Sequence, residues 1–136
     1  MKLSAKAEYA CLAVMALADR HGDARPVPIR EIADAYGIPE TFLTQILIRL
    51  RGAGLVTSTR GSSGGYRLAR DPMSISLGDV LRVIDGDPIQ DRPSRRSTPG
   101  ALARLWDRLQ ASQVEILNRT TIAHLTDEQH ARDWTI

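Results

Sequence analysis

Five arginines, Arg49, Arg51, Arg60, Arg67 and Arg70, lie between residues 41 and 70, a stretch with no aspartate or glutamate. In a chain whose formal net charge is only +2, such a one-signed stretch suits a polyanion, although a merely solvated basic face is the alternative. The same stretch carries Thr41, Thr44 and Gln45, whose hydroxyls and amide can bond base edges or phosphates. Gln45 has the geometry for a bidentate pair with adenine, and Ile48 could touch a thymine methyl. The stretch also holds a glycine-rich loop, Arg60-Gly61-Ser62-Ser63-Gly64-Gly65. A guanidinium at the tip of such a loop can enter a narrow minor groove, where negative potential concentrates. Gly61, Gly64 and Gly65 would let the backbone approach closely, and Ser62 and Ser63 add donors for phosphates. A nucleotide phosphate is the competing ligand, but that pattern needs a Lys-Ser/Thr pair opening a helix. Here the loop runs into Tyr66-Arg67-Leu68, a β-type run.

No reaction centre competes with this surface. His21, His124 and His130 stand in unrelated contexts, without metal-type spacing and without a nucleophile motif. The single cysteine, Cys11, rules out an intramolecular disulfide and any all-cysteine metal site within one chain. Its neighbours Ala10 and Leu12 suggest a buried structural thiol. An enzyme is not expected.

The elements that would position the basic stretch are legible from periodicity. Tyr9, Leu12, Ala13, Ala16 and Leu17 recur at helical spacing, so residues 4–20 read as a first helix, stopped by Gly22. Residues 29–36 read as a short second helix closed by Gly37. A third, from about Glu40 to Ala53 with Gly54 as C-cap, carries the core stripe Leu43, Ile46, Leu47 and Leu50. That stripe must face inward, which leaves Glu40, Thr41, Thr44, Gln45 and Ile48 outward and Arg49 and Arg51 at the helix end. Residues 55–59 and 66–69 read as a hairpin, with Thr59 and Tyr66 flanking the glycine loop. Ser76 is a good N-cap for a fourth helix through Ile84. Two short helices and a glycine-tipped hairpin make a helix-turn-helix with a wing, and a helix about 10–12 Å across fills a major groove about 12 Å wide.

Residues 89–100, rich in Arg, Pro, Ser and Asp, read as a linker. A long helix follows, from about Gly100 to Arg119, with the apolar stripe Leu102, Leu105, Trp106, Leu109, Val114 and Leu117. A partner surface or the helix's own domain could cover that stripe. The tail from Thr126 is polar until Trp134-Thr135-Ile136. Charge divides along the same line. Residues 1–70 hold ten Lys/Arg against six Asp/Glu, and residues 71–136 eight against ten. With no bilayer-length apolar run and no secretory pattern after Met1, a soluble cytoplasmic protein is the default expectation. The fold expected is mainly α with a small β-hairpin. It comprises a winged helix-turn-helix DNA-binding domain over 1–88, the 89–100 linker, and a dimerisation helix and tail over 101–136.

The ordered run of motifs resembles the Rrf2 family of bacterial transcription regulators over nearly the whole chain. It comprises residues 1–10, Ile32-Ala33, Gly37-Ile38, residues 42–47, 50–56 and 60–68, Ile75 to Val80, Ile84-Asp85-Gly86, Leu105-Trp106 and Thr120 to Leu125. The resemblance implies a homodimer crossing on the long C-terminal helix and reading a palindromic site on double-stranded DNA, most simply as a repressor. It also exposes departures. Many members hold an iron–sulfur cluster through three cysteines between the fourth helix and the dimerisation helix, but residues 87–105 contain none. Glu8 sits where some members supply a carboxylate ligand, yet a lone carboxylate without thiolates cannot hold a cluster. No cofactor and no metal are therefore expected. Cluster-bearing members also often carry an acidic residue in place of Thr44 and serine in place of Pro39, so their base preference does not transfer.

Loss of the cysteines resembles the branch of the family that represses cysteine-metabolism genes and responds through cysteine synthase, an enzyme that captures peptides ending in isoleucine. This chain ends Trp134-Thr135-Ile136, and a terminal carboxylate on an apolar side chain suits such capture, against the alternative of a frayed end. The alternative to a DNA-binding regulator is a winged-helix module that docks a protein rather than DNA.

Overall fold

A computed structural model describes residues 3–86 and 99–133. The element order is α1 (Ala5–Asp19), α2 (Ile29–Tyr36), α3 (Glu40–Gly52), β1 (Val56–Thr59), β2 (Gly65–Leu68), a 3-10 turn (Pro72–Ser74), α4 (Leu77–Asp85), α5 (Gly100–Arg119) and α6 (Ile122–Asp133). The fold is thus mostly helical with one two-stranded antiparallel hairpin, as the sequence predicts.

α1 is the axle. Ser4 caps it, its Oγ accepting from the Ala7 N–H at 3.0 Å and donating to Asp85 Oδ1 at 2.7 Å. Ala7, Ala10 and Ala13, together with Val14 and Leu17, are buried against α2, α3, α4 and α6. Alanines at three-residue spacing let neighbouring helices approach closely, while Val14 and Leu17 supply bulk.

α2 ends at Gly37, which adopts the left-handed conformation (φ +68°) and turns the chain into α3. The predicted core stripe of α3 is correct, for Leu43, Ile46, Leu47 and Leu50 are all inside. Each such side chain contributes about 1.5–3 kcal/mol relative to exposure. The hairpin register pairs Val56 with Leu68 and Thr59 with Gly65, so Gly65 belongs to the strand rather than to the loop. Val27, between α1 and α2, exchanges two backbone hydrogen bonds with Tyr66, at 2.8 and 2.9 Å, which ties the wing to the body.

α4 opens on a complete capping box: Ser76 Oγ accepts from the Asp79 N–H, and Asp79 accepts from the Ser76 N–H. Burial opposes ionisation of Asp79, but hydrogen bonds from Ser76 and the nearby Arg82 outweigh it and hold the carboxyl below its usual range. The junction between α5 and α6 is fastened to this corner. The Leu77 N–H donates to the Thr120 carbonyl at 2.8 Å, and the Ile122 N–H to the Ile75 carbonyl at 2.9 Å.

α6 is the element that sequence reading misses. Residues 126–136 look like a polar tail, yet the chain is helical to Asp133 and packs on α1. Ile122 is completely buried, and Thr126, also buried, satisfies its hydroxyl on the carbonyls of Ile122 and Ala123. His130 Nε2 meets Asp19 Oδ1 at 2.8 Å, at the far end of α1.

Candidate nucleic-acid interface

The stretch without acidic residues folds into two adjoining parts, the body of α3 and the hairpin. On α3, Glu40, Thr41, Thr44, Gln45 and Ile48 are exposed, as an inward stripe of leucines and Ile46 requires. Ile48 is 49% exposed and Phe42 40%, so the outward side of α3 carries apolar surface among its polar residues. Thr44 Oγ1 donates to the Glu40 carbonyl at 3.0 Å, so its hydroxyl is left as an acceptor on an exposed side chain. Gln45 Oε1 accepts from Lys6 Nζ at 3.5 Å.

The two arginines at the end of α3 are held differently from a free basic pair. Arg49 turns to α4, where Nη2 donates to the Val83 carbonyl at 2.7 Å. Arg51 Nη1 donates to Ser58 Oγ at 3.0 Å and so links the helix to β1 of the wing. Both side chains are exposed, and since a guanidinium carries five N–H donors each keeps others beyond these bonds.

In the wing, Thr59, Arg60, Gly61, Ser62 and Ser63 are exposed, whereas Gly64, Gly65 and Tyr66 are half-covered. The Gly64 N–H donates to the Gly61 carbonyl at 3.0 Å and closes a tight turn over Ser62 and Ser63. A Cβ on Gly64 would run into the Thr59 carbonyl, and one on Gly65 into the Val27 carbonyl. These two glycines are needed inside the protein; only Gly61 has open space in front of it. Arg67, on β2, is exposed, and Arg70 lies 3.9 Å from Asp79.

The α5 stripe divides in two. Leu102, Leu105, Trp106 and Leu109 are 40%, 45%, 51% and 47% exposed, and no residue of this 20-residue helix is buried. Leu117, however, packs against the core of its own chain, and Val114 is half-covered. Ile116 instead continues the exposed face. It lies seven residues beyond Leu109, a helical repeat that sequence reading could have followed. Tyr9 and Phe42 were also missed at the interface side. Their rings lie 5.8 Å apart at 39°, joining α1 to α3 across a separation that no local pattern reveals. Trp134, Thr135 and Ile136 lie outside the described residues, as does most of the 89–100 stretch.

Helix, turn, helix and wing, with the polar face of one helix and a basic hairpin outward, define a DNA-binding transcriptional regulator. Comparison with known proteins agrees. The profile of Rrf2, described as an iron-dependent transcriptional regulator, matches residues 3–128, and the chain belongs to that family. It is 37% identical over 125 residues to the HTH-type transcriptional regulator CymR of Bacillus subtilis, covering 92% of this chain and 89% of that one. It is 35% identical over 133 residues to the regulator IscR of Vibrio vulnificus, covering 94% and 79%. The structure of CymR, titled the global cysteine regulator of B. subtilis, superimposes with a TM-score of 0.86 at 35% identity, covering 94% of this chain and 98% of that one.

The family description names iron, and the residues of this chain do not fit it. Iron–sulfur ligation rests on several thiolates, and the chain has one cysteine. That residue, Cys11, lies within α1, where burial, and then the charges of Glu8 and Asp85, push its thiol up to about 12. A thiol that stays protonated is a poor metal ligand. Among the described residues, no group of three or more His, Cys, Asp or Glu side chains could hold a metal ion.

Proposed function

We propose that this regulator is a homodimeric repressor that reads a palindromic operator with two α3 helices and two wings, and that its signal comes from outside the chain. The observation that carries the dimer is the exposed apolar face of α5. Leu102, Leu105, Trp106, Leu109 and Ile116 form a row at helical spacing on a helix that buries no residue in its own chain. A contiguous apolar face of this kind marks an interaction site, and two-fold pairing of identical chains is the commonest way to cover one. Two-fold symmetry then sets the half-sites one or more helical turns apart, in multiples of about 34 Å.

Footprinting on sites selected from random duplexes tests the reading. Two protected half-sites at that spacing, with affinity falling by orders of magnitude between about 50 and 200 mM salt, are expected. A single unpaired footprint or salt-independent binding would refute it.

The sensing half of the proposal rests on likeness to CymR and on chemistry this chain lacks. Without thiolates for a cluster, the signal is a small molecule or a partner protein; cysteine synthase is the candidate partner and Trp134-Thr135-Ile136 the candidate docking segment. Removing Thr135 and Ile136 is expected to abolish co-purification of the two proteins; unchanged complex formation would eliminate that partner.

A further inference from the structure

α3 carries an apolar side chain that its own fold leaves bare in the middle of its outward face. The inward stripe, Leu43, Ile46, Leu47 and Leu50, fixes how the helix is turned. At about 100° per residue, Thr41 and Ile48 lie within roughly 30° of the direction opposite that stripe, so they stand farthest out. Ile48 is 49% exposed and is not among the apolar side chains packed on the core. Phe42, also exposed, lies about a quarter-turn round the helix toward α1, where its ring meets that of Tyr9.

The neighbours of Ile48 on the helix keep it uncovered. Gly52, one turn on, has only open space where a side chain would start, and a helical side chain there would lean back over Ile48. Arg51 is drawn aside to the wing, its Nη1 3.0 Å from Ser58 Oγ. Thr44, one turn before, commits its single hydroxyl hydrogen to the Glu40 carbonyl. Helix stability does not call for isoleucine at this place, since a β-branched residue is slightly disfavoured on an exposed helix. Ile48 therefore presents branched hydrocarbon to whatever α3 meets, with no side-chain donor or acceptor of its own.

The base edges in a major groove are polar with one exception, the C5-methyl of thymine. An isoleucine set against N7, O6 or an amino group would strip water from it and return no hydrogen bond. Against a thymine methyl, it removes apolar surface from water on both sides. Attraction to thymine and the penalty at other bases act in the same direction. We infer that Ile48 is a specificity-determining residue that reads the C5-methyl of one thymine in each half-site. The inference rests on the reading of α3 as the recognition helix and adds which base group that helix selects.

The test removes that methyl alone. Sites are selected from random duplexes with the full-length protein, and each thymine is then replaced in turn by uracil, which keeps the base pair and lacks only the methyl. One thymine per half-site should lose about fourfold in affinity, the effect of burying one methyl less. In Ile48→Ala the uracil effect at that position should shrink below about 1.5-fold, while Ile48→Val, which keeps a branched apolar end, should retain at least about twofold. A scan in which no thymine is sensitive, or a sensitive thymine indifferent to Ile48→Ala, overturns the inference. So does an Ile48→Ala protein that loses affinity evenly for selected and unrelated duplexes, or loses none, either of which assigns Ile48 to another contact. If the unaltered protein selects no sequence at all, the reading of α3 as a recognition helix falls as well. Selection that is flattened at one position by Gln45→Ala but is insensitive to every uracil removes the role of Ile48 alone. Circular dichroism of each variant guards against unfolding, which is not expected at an exposed position.

Discussion

α3 and α5 carry the same kind of pattern and meet opposite fates. Each has large apolar residues recurring at i, i+3, i+4 and i+7. On α3 these residues, Leu43 through Leu50, are shut away, while on α5 the row from Leu102 to Leu109 stands half in solvent. Periodicity says that a face must be covered. It does not say by what. α3 is surrounded by α1, α2, α4 and β1 of its own chain, whereas α5 joins the body mainly through α4, near its C-terminal end.

The sharpest way to break the comparison is at α5. A Leu105→Glu, Leu109→Glu double variant is expected to remain folded but become monomeric by light scattering. Its affinity for a two-half-site duplex should drop by about 10²–10⁴-fold, the loss of linked binding. A folded variant that stays dimeric would place the interface elsewhere. At α3 the expectation is reversed. Leu47→Ala should cost about 2–5 kcal/mol in urea unfolding, because it leaves a cavity in a packed core. Leu102→Ala, measured with the double variant as background, should change stability by no more than about 0.5 kcal/mol. Similar costs at both sites would show that α5 is covered by its own chain.

The smallest effect is sought at Cys11, on the packed side of the molecule. Its thiol is raised to about 12 in the fold, so the native state keeps it protonated while the unfolded chain ionises near 9. The contribution of the neutral thiol is full below the unfolded value and is lost as pH climbs from about 9 toward 12. The stability of the protein relative to Cys11→Ala should therefore fall over that range in denaturant titrations. At pH 8, alkylation by iodoacetamide should be slow until the chain is unfolded. Cys11 is half-buried against the core rather than fully enclosed, and rapid modification of the folded protein would contradict a shielded, protonated thiol.

Particular residues show where the sequence was legible. α2 was bounded correctly by Gly37, and α4 by Ser76, because both ends are set by local chemistry: a left-handed glycine and a capping side chain. The inward stripe of α3 followed from its period. α6 was not legible, since its polar composition gives no stripe and its buried members, Ile122 and Thr126, take their meaning from α1. The glycine loop was read for its approach to DNA, whereas Gly64 and Gly65 are glycines because Thr59 and Val27 leave no room for a Cβ. The sequence places Arg49 at a helix end, but not its bond to a carbonyl of α4, 34 residues away in the chain.

The five arginines of residues 41–70 therefore have two kinds of determinant. By itself the sequence settled that they lie on a helix-turn-helix with a wing, because periods, caps and turns act over a few residues and leave local marks. Which of them face outward, which side chain holds the Gln45 amide, and which apolar face stays uncovered were decided only in the tertiary structure. Those outcomes depend on contacts between residues tens of positions apart, and chain spacing carries no record of them.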